Sequence, residues 1–383
     1  MGSDIMAGLG AFGGGFLGYI VPFLFVLTIV VFFHEFGHFL VARRCGIKVL
    51  TFSLGFGPEI AGFNDRYGTR WRISAIPLGG YVKFFGDENA ASVPDHAAAA
   101  VMTEEQKKDS FIGKSVGARA AVVVAGPLAN FVLAIIIFAA IFMTVGKPIA
   151  SARVDSVLPG SAAAAAGFKQ GDLVTSIDGN KITSFSDMQR IVAVSAGEQL
   201  TIGVERNGHA VTLKAAPQLK NIKDAFGNMH RIGVLGISRS MAPGDIRTKR
   251  LGPVDAFSQG VQETWFVIDR TMSYIGGVFA GREAANQLGG PIRIAQVSGE
   301  VASAGFAALM HLTAVLSISI GLLNLFPIPL LDGGHLLFYG IEAVRGRPMS
   351  ERAQEVGFRI GLAIVVMLMI FATFNDILHL ATS

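Results

Sequence analysis

Charge, cysteine and tryptophan are all scarce in this chain. Only 16% of its 383 residues are Asp, Glu, Lys or Arg, against roughly a quarter in soluble domains. A mean hydropathy of +0.51 excludes an ordinary water-soluble globule. The single cysteine, Cys45, excludes an internal disulfide and a zinc site built on thiolates, and reads as a buried or lipid-facing thiol. No cluster of Lys and Arg is interleaved with aromatics, so nucleic acid is not an expected partner.

The sequence does contain long apolar runs. Four are long enough to span a bilayer: about Phe16–Ala42, Ala120–Val145, Gly305–Leu331 and Ile360–Phe374, the last somewhat short unless its flanks join it. The first is too long for a signal-peptide core and lacks a basic start, so it is expected to be retained. Lys and Arg concentrate between the first two runs (Arg43, Arg44, Lys48, Arg66, Arg70 and others) and between the last two (Arg345, Arg347, Arg352, Arg359), while residues 1–15 and 375–383 have none. The positive-inside rule then places both linkers in the cytoplasm, and both termini with the long 146–304 segment outside. The net charge of +4 is mostly topology. The expected fold is a polytopic α-helical membrane protein with four transmembrane helices.

Within the first run stands His34-Glu35-Phe36-Gly37-His38. Two imidazoles four residues apart on a helix share one face and can bind one metal, with the intervening Glu beside the water it activates. An ionised side chain near a bilayer centre costs about 2.5–3.5 kcal/mol, so these residues need a function to explain them. Hydrolytic zinc sites use three protein ligands and an open position. Asp332 is the best third ligand: it follows Asn324-Leu325-Phe326-Pro327-Ile328-Pro329-Leu330-Leu331, where two prolines break the helix and free backbone groups that only a protein-lined cavity tolerates. A helix N-cap role for Asp332 and ligation by His335 instead are the competing readings.

Between the runs the patterns change. Trp71–Phe85 is rich in Gly, aromatics and β-formers and predicts two short strands joined by a Pro77-Leu78-Gly79-Gly80 turn. Residues 89–110 read as a mobile linker. Residues 147–219 alternate short β-rich runs with two helical patches and turns at Asp178-Gly179 and Asn207-Gly208. Their Ala166-Gly167-Phe168-Lys169-Gln170-Gly171-Asp172 run resembles a bacterial protease-type PDZ domain. Residues 220–304 are β-like, then a helix whose Trp265, Phe266 and Tyr274 suit a membrane interface. The expected divisions are therefore 1–146, 147–219, 220–304 and 305–383.

Taken together, His34-Glu35-Phe36-Gly37-His38, Gly126-Pro127-Leu128-Ala129-Asn130 and Asn324…Pro327-Ile328-Pro329-Leu330-Leu331-Asp332-Gly333 resemble the site-2 protease family of intramembrane zinc metalloproteases, in particular its bacterial regulator of sigma-E protease group. The resemblance implies that His34, His38 and Asp332 hold Zn2+ and that Glu35 is the general base. It implies that Asn324 holds substrate backbone near the metal, and that a membrane-associated β-hairpin, with Gly79, Gly80 and Tyr81, pairs with an unwound substrate. The implied substrates are single-span membrane proteins already shortened by another protease, such as anti-sigma factors or remnant signal peptides, cut in a bacterial inner membrane. The chain departs from that group in having one PDZ-like segment rather than two, which leaves open whether the segment gates access as a filter or binds peptide. A membrane adaptor with a structural metal is the alternative; an intact Glu35 argues against it.

Overall fold

The computed structural model describes residues 2–86, 102–182, 184–223, 229–239, 246–281 and 289–382. The chain divides into two compact units, residues 1–141 with 253–383, and residues 142–252.

The first unit opens with helix α1 (Gly2–Arg44), strands β1 (Val49–Asn64) and β2 (Arg70–Phe84), a short helix α2 (Glu104–Asp109) and α3 (Val116–Thr144). The prediction of two strands inside Trp71–Phe85 is corrected here. β2 runs through the segment, and its partner is β1, reached by the turn at 65–69. Residues 51–54 of β1 lie between two stretches of β2: Phe52 pairs with Val82 on one side and with Trp71 on the other. Pro77-Leu78-Gly79-Gly80 thus bridges two stretches that flank a third and do not pair with each other. Local composition could not show this, because the inserted strand comes from earlier in the chain and carries Gly55, Gly57 and Pro58, which read as loop. Phe52 and Phe111 are fully buried, with Phe39, Ala42, Phe84 and Val122, in one apolar cluster that ties the sheet to α1 and α3. Burying a side chain of the size of Phe52 away from water contributes about 1.5–3 kcal/mol.

Of the expected linker at 89–110, residues 87–101 lie outside the described residues. The rest includes α2, closed by a reciprocal cap between Thr103 and Gln106 that satisfies two orphan amides.

The second unit holds β3 (Lys147–Ala150), β4 (Ser156–Val157), helix α4 (Ala162–Ala165), β5 (Leu173–Ile177), β6 (Asn180–Lys181), helix α5 (Phe185–Val194), β7 (Leu200–Arg206), β8 (His209–Ala215), β9 (Gln218–Lys223), β10 (Met229–Val234), β11 (Ile237–Ser238) and β12 (Ile246–Lys249). A four-stranded sheet in the order β6-β5-β7-β8 covers a core of Val154, Phe168, Val174, Ile177, Ile202 and Val204. Asp178 and Asn207 take φ of 48° and 51°, the positive values a two-residue hairpin turn demands. The division expected at 219 falls instead at Gly252. β10 pairs with β9, β11 with β4 and β12 with β3, and Leu235 enters the core. Strands drawn from 80 and more residues apart close this unit, which periodicity within one segment cannot reveal. Asp172, fully buried, takes two hydrogen bonds from the Arg206 guanidinium, at 2.7 and 2.8 Å. Those bonds hold its carboxyl below the usual Asp range against the opposing effect of burial.

The first unit resumes with α6 (Pro253–Phe279), α7 (Pro291–Ser303), α8 (Phe306–Leu325), α9 (Asp332–Arg345) and α10 (Glu351–Thr382). Among the described residues, four helices are long and apolar enough to cross a membrane: Leu17–Arg44, Val116–Thr144, Phe306–Leu325 and Arg352–Leu378. The third ends at Leu325, not Leu331, because Pro327 and Pro329 cannot continue it. The fourth is longer than expected, since Arg352, Glu355 and Arg359 sit in its first turns, where long side chains reach water and do not end a helix.

Candidate metal centre

On α1 the 3.6-residue repeat puts His34 and His38 on one face, 4.8 Å between ring centroids with planes 87° apart. Their Nε2 atoms are 3.3 Å apart. Asp332, the first residue of α9, brings Oδ2 to 3.2 Å from Nε2 of His34 and Oδ1 to 3.6 Å from Nε2 of His38. Ligand atoms from all three lie within 4.8 Å of one another. The N-cap reading of Asp332 is not what forms, because Leu331 takes that place and there is no side-chain cap. His335 is buried against Tyr339 and Phe358 and lies outside the three-residue cluster.

The chemistry of this set suits a cation. The Val122 carbonyl can only accept, so Nδ1 of His38 donates to it at 2.9 Å, leaving Nε2 of a neutral ring as a bare lone pair. That lone pair faces a second imidazole and a carboxylate whose Oδ2 is buried without a hydrogen-bond partner. With the His34 Nε2 unprotonated as well, these acceptors converge on one point and repel unless a positive ion sits among them. Two imidazole nitrogens and a carboxylate oxygen, with a position left open, are a zinc donor set. The residues fit the ion.

The surroundings position it. Gly126 on α3 passes so near the imidazoles that a Cβ there would stand 2.5 Å from Cε1 of His38 and 3.0 Å from Cε1 of His34. After Leu325 the chain turns through Pro327 and Pro329, and Leu330 adopts a φ of +94°. Such a conformation costs about 1–3 kcal/mol in a non-glycine residue and persists where its surroundings over-determine it; here it delivers Asp332.

A cavity of about 200 Å³ opens on this centre, lined by Glu35, Gly80, Tyr81, Asn324, Leu330 and the three clustered residues among others. Val82 of β2 lines the cavity beside Glu35. A side chain at Gly80 would meet Val31 and Glu35 at 2.9 and 3.1 Å, so the strand lies directly on the helix that carries the motif. Of the expected substrate-contacting residues, Asn324, Gly80 and Tyr81 reach the cavity. Gly79 does not; at φ +117° it turns beneath the ring of Phe56. The sequence marks Gly126 and Asn130 only as parts of a family-like motif, and nothing in it singles out Val122. The available signal was Asn130 itself, a polar side chain inside an apolar helix.

The chain also has recognisable relatives among known proteins. The model of peptidase family M50 matches residues 22–368. A protein of Agrobacterium fabrum, named provisionally as a zinc metalloprotease, is 52% identical over 364 residues, covering 95% of this chain and 97% of its own. Metalloprotease MmpA of Caulobacter vibrioides is 41% identical over 385 residues, 95% of this chain and 96% of its own. Regulator of sigma-E protease RseP of Escherichia coli is 31% identical over 458, 94% and 98% respectively. Among solved structures, the PDZ domain of an SdrC-like protein from Listeria monocytogenes is 24% identical and covers 22% of this chain and 83% of its own, with a TM-score of 0.19, a value that says nothing of the whole fold. The chain belongs to peptidase family M50, as its likeness to site-2 proteases leads one to expect.

Proposed function

We propose that this multi-pass membrane zinc metalloprotease is an intramembrane endopeptidase that cuts the transmembrane segments of single-span proteins whose outer domains have already been removed. The observation that carries the reading is the junction of His34, His38 and Asp332 on helices that could span a membrane, with Glu35 in the same cavity. Zinc held there supplies a Lewis acid that polarises the scissile carbonyl and acidifies water. Glu35 takes the proton from the attacking water and returns it to the leaving amine. Asn324, lining the cavity but outside the ligand cluster, is placed to hold the substrate backbone.

Access is the harder requirement, since a helical substrate hides each peptide bond in its own hydrogen-bond ladder. Residues 80–83 pair with 51–54 on one side and lie against α1 at Gly80, which supports β-strand addition as the means of holding an unwound segment beside Glu35. Following the charge distribution, both termini and the β-rich unit face the periplasm of a bacterial inner membrane, and that PDZ-like unit acts as a filter against substrates with bulky outer domains. The test is Glu35→Gln beside wild type, with zinc content and cleavage of a transmembrane peptide measured on both. Both should hold zinc, and the variant should lose on the order of 10²–10⁴ in rate. If neither cut any of a broad panel, the adaptor reading would replace this one.

A further inference from the structure

The two imidazoles of the centre are not equally explained. His38 has its Nδ1 proton fixed by the Val122 carbonyl of α3. His34 has Asn130, two turns further along the same helix, completely buried, with Nδ2 placed 3.3 Å from the His34 Nδ1. In that orientation Nδ1 of His34 must be the unprotonated nitrogen, its proton moves to Nε2, and Nε2 is lost as a ligand. The Asn130 Oδ1 is meanwhile buried without a partner. A half-turn of the amide exchanges the two atoms and changes nothing else in its shape. Oδ1 then accepts from His34 Nδ1–H, just as the Val122 carbonyl accepts from His38, and both Nε2 lone pairs face the point where Asp332 arrives. Helix α8 packs closely at this position: Ser317 donates to the Asn130 backbone carbonyl at 2.9 Å, and a Cβ at Gly321 would lie only 3.2 Å from the Asn130 Cβ.

We propose that Asn130 is a positioning residue of the zinc centre: its Oδ1 accepts the His34 Nδ1 proton and so fixes both the tautomer and the tilt of that ligand. The proposal rests on the reading of the site as a zinc centre. Outer partners of ligating imidazoles are worth about 10–100-fold in metal affinity. The decisive contrast is between two substitutions of similar shape. Asn130→Asp keeps an acceptor facing the His34 N–H, as a carboxylate that loses the amide donors and adds a charge, whereas Asn130→Leu removes the acceptor.

The experiment uses the full chain, zinc-loaded in detergent micelles, and follows zinc loss to a chelator. Asn130→Leu should bind zinc 10–100-fold more weakly than wild type, and Asn130→Asp should stay within a few-fold. Equal affinity in the Leu variant, or an equal loss in the Asp variant, would overturn the proposal. In case the Leu variant does not fold, proton NMR of the wild type decides alone. Two zinc-dependent, slowly exchanging imidazole N–H resonances are expected, and one would refute the role of Asn130. A wild-type chain that takes up no zinc would instead refute the reading of the site itself, so the two failures are distinguishable.

Discussion

Adding one methyl group at Gly126 should abolish the metal centre while leaving the helix intact. By helix propensity alone, Gly→Ala in a helix interior stabilises by up to about 1 kcal/mol. Space decides otherwise: ordinary contact begins near 3.4 Å, and the new Cβ would lie 2.5 Å from Cε1 of His38. Nε2 of His38, the ligand atom itself, would be nearer still, so the ring would have to retreat by about 1 Å against a tolerance of about 0.2 Å for a metal–ligand distance. His38 has no freedom to retreat, with its other nitrogen tied to Val122. Moving α3 back instead would open the seam in which Gly37 packs on Ala125 and Ala129. A displacement of about 1 Å in a catalytic site costs on the order of 10² in rate, and losing one of three ligands costs at least as much in zinc retention. The assay is zinc stoichiometry under chelator competition together with cleavage of a transmembrane peptide. Gly117→Ala on the same helix, where nothing lies within 4 Å, should behave as wild type. A Gly126→Ala chain that keeps its zinc and its rate would refute the close packing on which this reasoning depends.

Other positions test separate links. Because Arg206 depresses the folded-state pKa of Asp172, the pair stabilises the second unit above the unfolded carboxyl pKa of about 3.9 and is lost as pH falls through the lower folded value. Arg206→Met should leave a buried, uncompensated carboxylate and destabilise that unit by about 3 kcal/mol near neutrality, with the gap to wild type narrowing in hydrogen-exchange protection as pH falls through and below about 4; a gap independent of pH would count against the linkage. Leu330→Gly should relieve the strain of a positive φ and raise the melting temperature by the equivalent of about 1 kcal/mol net of chain entropy, and a lower melting temperature would show that the side chain matters more than the backbone. Asn324→Ala should slow cleavage with zinc affinity unchanged, since Asn324 lines the cavity but stands outside the ligand cluster. Zinc loss in that variant would move Asn324 into the structural support of the ion.

Legibility in the sequence followed the range of each interaction. His34 and His38 could be paired from sequence because four residues on a helix is a local geometry, and Asp332 because two prolines nearby make a polar residue at membrane depth conspicuous. The four apolar runs were legible for the same reason, although Pro327 trimmed one and the water-reaching arginines of α10 lengthened another. What failed was pairing at a distance. β1 was invisible because its value as a strand comes from lying between two stretches of β2, and β12 could not be joined to the second unit before β3 was known to receive it. Asn130 failed for a different reason: an amide in an apolar helix serves packing and hydrogen bonding equally well, and the choice needs the imidazole 96 residues earlier.

The case of Asn130 bears on how such a centre arises in an apolar setting. A soluble site can recruit its outer partners from polar loops, whereas helices in lipid offer few side chains that donate or accept. Here α3 supplies one partner from its backbone, the Val122 carbonyl, and one from a single amide, Asn130, and makes room for both imidazoles with the glycine halfway between them. The spacing 122, 126, 130 repeats every four residues, so all three face α1 along one stripe. A helix can therefore orient two metal ligands while giving up one polar side chain, and it does so with residues that hydropathy counts as apolar or neutral.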